Sequence, residues 1–218
     1  MVHHLLRCLY GLSRYDIEVA TQSPIERVEI RNGFDTLHTA RGFEESDLGN
    51  RIRVIWNGAE YRGRGRETKW KGKAQFVGAT IKRFETVNVY NHERLFEQQS
   101  SNAIVFDAIT TGNFGGFDAW LDTDHSDKPG VMEISTNHGT LSVPIDEIGL
   151  KDEVLEAGGL ERKIRAFRLP EENTNYSLKT ELEIELKPMG DNPIWVCVTT
   201  EDGFQAWSSL IYVFNKDA

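Results

Sequence analysis

The sequence predicts an all-β protein: two packed, mostly antiparallel sheets forming a β-sandwich, with very little helix. Three observations carry that expectation. Apolar and polar residues alternate with a period of two in many short runs, Gly, Asn and Asp turn signals separate those runs, and helical periodicity is scarce. About a dozen short strands in that arrangement call for a sandwich or a barrel-like double sheet.

Taken in order, Tyr15, Ile17 and Val19 alternate with Asp16 and Glu18. Val28 and Ile30 alternate with Arg27, Glu29 and Arg31, and Asn32-Gly33 follows as a hairpin signal. Ile52, Val54 and Trp56 share one face, with Arg51 and Arg53 on the other. Further strands are read at 74–81, 85–90, 116–121, 131–135, 140–145 and 163–169. The runs 103–109 and 210–214 are β-branched and aromatic, the pattern of strands buried on both faces. From Thr180 to Lys187 the alternation is cleanest: Leu182, Ile184 and Leu186 are separated by Glu181, Glu183 and Glu185. The runs 194–200 and 205–214 flank Glu201-Asp202-Gly203-Phe204, a hairpin or tight corner.

Two stretches read as short helices, 92–99 behind an Asn91 cap and one or two turns within 146–156. The predicted core is Val28, Ile30, Val54, Trp56, Phe76, Ile104, Phe106, Trp120, Leu182, Ile184, Leu186, Val196, Val198, Ile211 and Val213. There is no internal repeat and no low-complexity linker, so residues 14–218 are expected to form a single domain, with 1–13 a poorly ordered junction segment.

Composition narrows the function. A formal net charge of −9 repels nucleic acid and anionic membranes, so neither is an expected partner. No run approaches the roughly 18 apolar residues of a bilayer span, and the N-terminus has no sustained apolar stretch with a cleavage site. A soluble protein follows, with a cytoplasmic location favoured. Cys8 and Cys197 make neither a disulfide framework nor a zinc site, and Cys197, within Ile194-Trp195-Val196-Cys197-Val198, is expected as a buried, inert thiol.

Four groups of residues are candidates for chemistry. Arg51 to Lys73 holds eight basic residues in an acidic chain, centred on Tyr61-Arg62-Gly63-Arg64-Gly65-Arg66. Arg62, Arg64 and Arg66, with Tyr61 and Trp70 nearby, suit an anion- or partner-receiving loop, though a solvated hairpin tip is the favoured reading because exposed charge clusters are common. Asp122, Asp124 and Asp127 supply carboxylates for a cation, but their spacing departs from the helix-loop-helix calcium pattern, and a hydrophilic loop explains them as well. Asn91 and His92, with Asn137 and His138, are polar residues at turns that would line a pocket or serve as hydrogen-bonded structural groups. Gly112-Asn113-Phe114-Gly115-Gly116 precedes a strand rather than a helix, so a bulge or a close aromatic contact is expected there rather than a phosphate site. No nucleophile-elbow, phosphate-loop or paired-histidine metal motif is present, and no cofactor is implied.

Three segments together carry a resemblance. They are Pro24 to Gly33 (PIERVEIRNG), Arg51 to Trp56 with Tyr61 to Arg66, and Asp191 to Val196 running on to Glu201-Asp202-Gly203-Phe204-Gln205-Ala206-Trp207-Ser208-Ser209. From about residue 14 to the end, the chain resembles the β-rich C-terminal region of a family of uncharacterised proteins. Longer members of that family carry a metal-dependent hydrolase domain of the polymerase-and-histidinol-phosphatase (PHP) type. The hydrolase's His- and Asp-rich metal motifs have no counterpart here, so no catalytic residue is carried over and the chain alone is expected not to be an enzyme. The resemblance implies an accessory domain that packs on, or presents substrate to, a hydrolase domain in a longer chain, or that covers the same surface by self-association. The alternative is a stand-alone module for a carbohydrate or other polar ligand, built on some of the five tryptophans. Most of those alternate into strands and read as core; Trp70, between Lys69 and Lys71, reads as the exposed one.

Overall fold

The computed structural model describes residues 2–9, 12–63, 66–89, 94–123, 130–187 and 190–213. The first four strands are β1 (Val2–Leu9), β2 (Leu12–Ala20), β3 (Ile25–Asn32) and β4 (Asp35–Ala40). Next come β5 (Arg51–Ala59), β6 (Thr68–Val77), β7 (Ala79–Val87), β8 (Phe96–Ser100), β9 (Ala103–Thr110) and β10 (Phe114–Thr123). Then follow β11 (Val131–Thr136), β12 (Gly139–Pro144), β13 (Glu153–Glu156) and β14 (Leu160–Leu169). The last are β15 (Ser177–Ile184), β16 (Asn192–Thr200), β17 (Gln205–Trp207) and β18 (Ile211–Val213). The helical elements among the described residues are two 3-10 turns, Glu45–Asp47 and Ile145–Glu147, and no helix there is long and apolar enough to cross a membrane. The protein is all-β, as expected.

Where one domain over 14–218 is expected, the chain divides into two compact units, Met1–Phe43 with Asn173–Ala218, and the inserted Glu44–Glu172. Each is a two-sheet antiparallel sandwich with its own core. In the first, the sheet β1-β2-β15 faces the sheet β17-β16-β3-β4, and β18 extends the β17 side of β16. Residues 2–9, expected as junction sequence, form β1, which pairs along β2. The core joins Tyr15, Ile17 and Val19 of one sheet to Val28, Ile30, Ile194, Val196 and Val198 of the other. Leu182, Leu186 and Ile211 pack against it only partly buried. The Asn32-Gly33 signal marks a real hairpin: Asn32 pairs with Asp35, and Gly33 takes φ +61°, where a side chain is disfavoured.

In the inserted unit, β13-β14-β5-β10-β7 faces β12-β11-β6-β9-β8. The ends of this insert are tied together: the Gly49 N–H donates to the Leu169 carbonyl (3.0 Å) and the Asn50 N–H to the Glu171 carboxylate (2.7 Å). Aromatic rings bridge the two sheets. Trp56 of β5 stacks on Phe106 of β9 (centroids 4.6 Å apart), with Phe96, Phe117 and Trp70 around it. Gly116 permits the close approach of β5, because a Cβ there would lie 2.0 Å from the Val54 carbonyl oxygen.

Several elements differ from expectation for local reasons. The run 74–81 is two strands turning at Gly78 rather than one. The helix expected over 92–99 is replaced in its described part by β8, whose Phe96 is drawn into the aromatic core; Asn91 and His92 lie outside the described residues. The helix expected within 146–156 reduces to one 3-10 turn followed by β13. Strands β5 and β10 are buried on nearly all positions, whereas β9 and β18 alternate. Trp120 is buried, but opposite the core side of β10, which presents Phe117, Ala119 and Leu121. Phe106→Ala should lower unfolding stability by about 3–5 kcal/mol, whereas Phe204→Ala, at a side chain 67% exposed, should change it by less than about 0.5 kcal/mol. Urea denaturation of the two variants checks the contrast.

Candidate functional site

The basic run does not act as one cluster. Arg51 and Arg53 project from β5 opposite its core residues and are buried, both bound to Asp118 of β10. Arg53 is bidentate on that carboxylate, at 2.7 and 2.8 Å. Trp120 is stacked by two guanidiniums, Arg83 at 3.8 Å and Arg51 at 4.8 Å from its ring centroid. Lys69, Lys71 and Lys73 alternate to the outer side of β6, so Trp70, expected in an exposed basic loop, is fully buried. Its indole N–H donates to the Thr110 hydroxyl at 2.9 Å. Tyr61 and Arg62 are exposed, Arg66 is tied down by donating to the Thr111 carbonyl (2.8 Å), and Arg64 lies outside the described residues. Tyr61, Arg62 and Arg66 therefore remain near the surface, while Trp70 is separated from them into the core.

The other predicted positions are structural or outside the described chain. Asn137 and His138 pin the β11–β12 turn to β6: Asn137 accepts from Lys71 N–H and donates to Lys69 O, and His138 sits edge-on to Trp70. Asp122 is exposed and paired with Lys82 at 3.3 Å; Asp124 and Asp127 are not among the described residues. Among the described residues no group of three or more His, Cys, Asp or Glu side chains is gathered to hold a metal ion.

An open cleft of about 450 Å³ in the inserted unit is lined by Glu45, Asp146, Glu147 and Arg168 among others. Its arginine is engaged by backbone: Arg168 donates to the carbonyls of Ile148 (2.7 Å), Gly49 (3.1 Å) and Ile145. Burial lowers the Arg168 pKa from the ordinary arginine value, and Asp146, Glu45 and Glu171 act against that shift. The guanidinium joins two loops rather than waiting for an anion.

An outer sheet face with exposed aromatic side chains lies on the first unit. On β16, Ile194, Val196 and Val198 enter the core, so Pro193, Trp195, Cys197 and Thr199 face outward. Trp207 lies opposite Cys197, and Tyr212 opposite Pro193, which places both on the same outer face. Trp207 is 60% exposed and Tyr212 54%. Trp195 is half-buried between them; its indole donates to the Gly33 carbonyl (2.9 Å), and the Arg31 guanidinium lies 5.2 Å from its ring centroid. Arg31 in turn binds Glu29 at 2.6 Å, and the exposed Gln205 donates to the Thr199 hydroxyl at 3.2 Å. The sequence reading takes most of the five tryptophans as core because they alternate into strands, and the exposed Trp207 and half-buried Trp195 depart from that. The available signal was parity, since Trp195 is out of step with Ile194, Val196 and Val198.

Cys197 sits beneath this face, 2% exposed. Burial and then the Glu29 carboxylate push its thiol pKa up to about 11, with Arg31 and Thr199 opposing. The adjoining turn is braced by Asp202, which accepts from the Ser23 and Thr200 hydroxyls. Burial alone would raise its pKa, but these hydrogen bonds outweigh it and hold the carboxyl below its usual value. No family model, curated protein or solved structure matches this chain.

Three outcomes test this geometry. Asp118→Asn removes the carboxylate that both buried arginines share and should cost about 3–5 kcal/mol in chemical denaturation. Cys197 should resist iodoacetamide in the folded protein at pH 8 and react once unfolded, read by peptide mapping. A thiol held neutral by folding stabilises fully below its unfolded pKa of about 8.5. That contribution is lost as pH rises toward the folded value of about 11, so Cys197→Ser should flatten the alkaline loss of stability in this window.

Proposed function

We propose that this chain is a non-catalytic accessory β-domain that serves a metal-dependent hydrolase domain of the PHP type by presenting a binding surface beside it. The observation that supports this reading is what the resemblance-bearing residues do. Val28 and Ile30, Val54 and Trp56, and Val196 and Val198 fill the two cores. Arg51 and Arg53 are bound internally to Asp118. Two further side chains of the most specific segment, Trp195 and Trp207, lie on an open sheet face. A likeness carried by core and by a flat aromatic surface suits a domain that supports and positions, with the chemistry housed in the domain it accompanies.

Incubating the purified chain with Mn²⁺, Zn²⁺ or Mg²⁺ and aryl phosphomonoester or phosphodiester substrates should give rates at the blank. Robust metal-dependent turnover that co-purifies with the chain would overturn the reading. The association expects a hydrolase-type reading frame fused to or directly adjoining the coding sequence; its consistent absence from genomes encoding this chain counts against it.

A further inference from the structure

We infer that the outer face of the β3-β16-β17-β18 sheet is a binding platform for a neutral, extended β-1,4-linked oligosaccharide, with Trp207 and Tyr212 as its stacking surfaces. This goes beyond the accessory role and does not require a hydrolase partner. Trp207 and Tyr212 stand opposite Cys197 and Pro193, four residues apart on β16. At the usual strand rise, that separates their positions by about 13 Å along the strand. Trp195 lies midway on the neighbouring strand. A short oligosaccharide fills such a row, and a single sugar ring does not.

The chemistry of the face selects the ligand. Sugar rings carry apolar C–H faces and polar edges, so they are bound where indole and phenol rings lie beside hydrogen-bonding side chains. Here the rings are accompanied by Glu29, Arg31 and Gln205, with Thr39 opposite Glu29 on β4. Arg31 is neutralised by Glu29 and leans on Trp195, and the chain as a whole carries −9, so an anionic ligand is disfavoured. A β-1,4-linked chain is straight and presents its rings in line, as a flat strand-parallel row requires; a coiled α-linked chain does not. A second copy of the protein is a poor occupant on area. The exposed parts of these three rings offer roughly 300 Å², whereas a stable dimer buries about 800 Å² per partner.

The test is isothermal titration of the full chain with soluble hexasaccharides of β-1,4-linked glucose, xylose and mannose, and with the corresponding monosaccharides. At least one hexasaccharide should bind, about tenfold or more tighter than its monosaccharide, with a blue shift in tryptophan emission. Trp207→Ala and Tyr212→Ala should each weaken that binding by about tenfold or more. Neither should move the melting temperature, because both side chains are more than half exposed. Absence of binding to all three hexasaccharides, or binding that Trp207→Ala leaves unchanged, overturns the assignment. So does self-association in sedimentation that Trp207→Ala abolishes, because a second copy then occupies the face. The phosphoesterase assay reads the accessory role separately, so either conclusion can fall without the other.

Discussion

Side chains on a strand alternate between two sides, and on β16 this alternation divides one short segment between core and surface. Ile194, Val196 and Val198 enter the core; Trp195, Cys197 and Thr199 lie on the opposite side of the strand, with Cys197 and Thr199 covered. A slip of one residue would exchange the two sets, so the core that stabilises the first unit also holds the outer face in register. Asn192 fixes where the strand begins. It is fully buried, and its side-chain Oδ1 accepts from the Asn32 side-chain amide and the Lys187 backbone N–H, each at 2.8 Å. The paired positions of Trp207 and Tyr212 follow from β16 in turn, because β17 and β18 hydrogen-bond along the same side of it. The aromatic row is thus a consequence of sheet register rather than of loop conformation.

The fold class was legible because burying one face of a sheet leaves a period-two trace, and β2, β3, β5 and β15 all carry it. Strand β4 was not, since its residues are exposed or nearly so and an edge strand with no buried side leaves no alternation. Trp70 was misread because the lysines flanking it suggest a loop, yet Lys-Trp-Lys-Gly-Lys is itself the alternating pattern: lysines to water, tryptophan to the core. The division into two sandwiches left one mark, the polar run Glu171-Glu172-Asn173-Thr174-Asn175, which reads as a loop between two strands but holds the boundary between the units. The insert begins and ends at backbone positions hydrogen-bonded to one another, Gly49 with Leu169, so no flexible polar linker is needed.

Of the candidate sites, the part legible in sequence was the presence of unusual charge, and the part that was not was its destination. Arg51, Arg53 and the lysines of β6 belong to one basic run in sequence but to different environments in space. Two are desolvated against Asp118, and three remain in water. A buried guanidinium is retained when a carboxylate meets it with good geometry, as Asp118 does for Arg53 through both of its oxygens. That carboxylate lies 65 residues from Arg53 along the chain, and only the antiparallel pairing of β10 with β5 places Asp118 opposite Arg53. Long-range pairing of this kind has no local signature.

Recognition by this protein is better sought on a face than in a cleft, and the reason is how its polar groups are committed. In the cleft of the inserted unit, Arg168 is held by three backbone carbonyls, and the Glu45 carboxylate accepts the Leu150 N–H. A ligand there would have to displace bonds that brace the loops. On the outer face of the first unit the internal bonds are made without the ring surfaces: Trp195 uses its N–H on Gly33, Arg31 uses Glu29, and Gln205 uses Thr199. The indole of Trp207 and the phenol of Tyr212 are more than half exposed to water. Covering them releases hydration water while breaking no bond that holds the fold, which is the condition for a preformed binding surface.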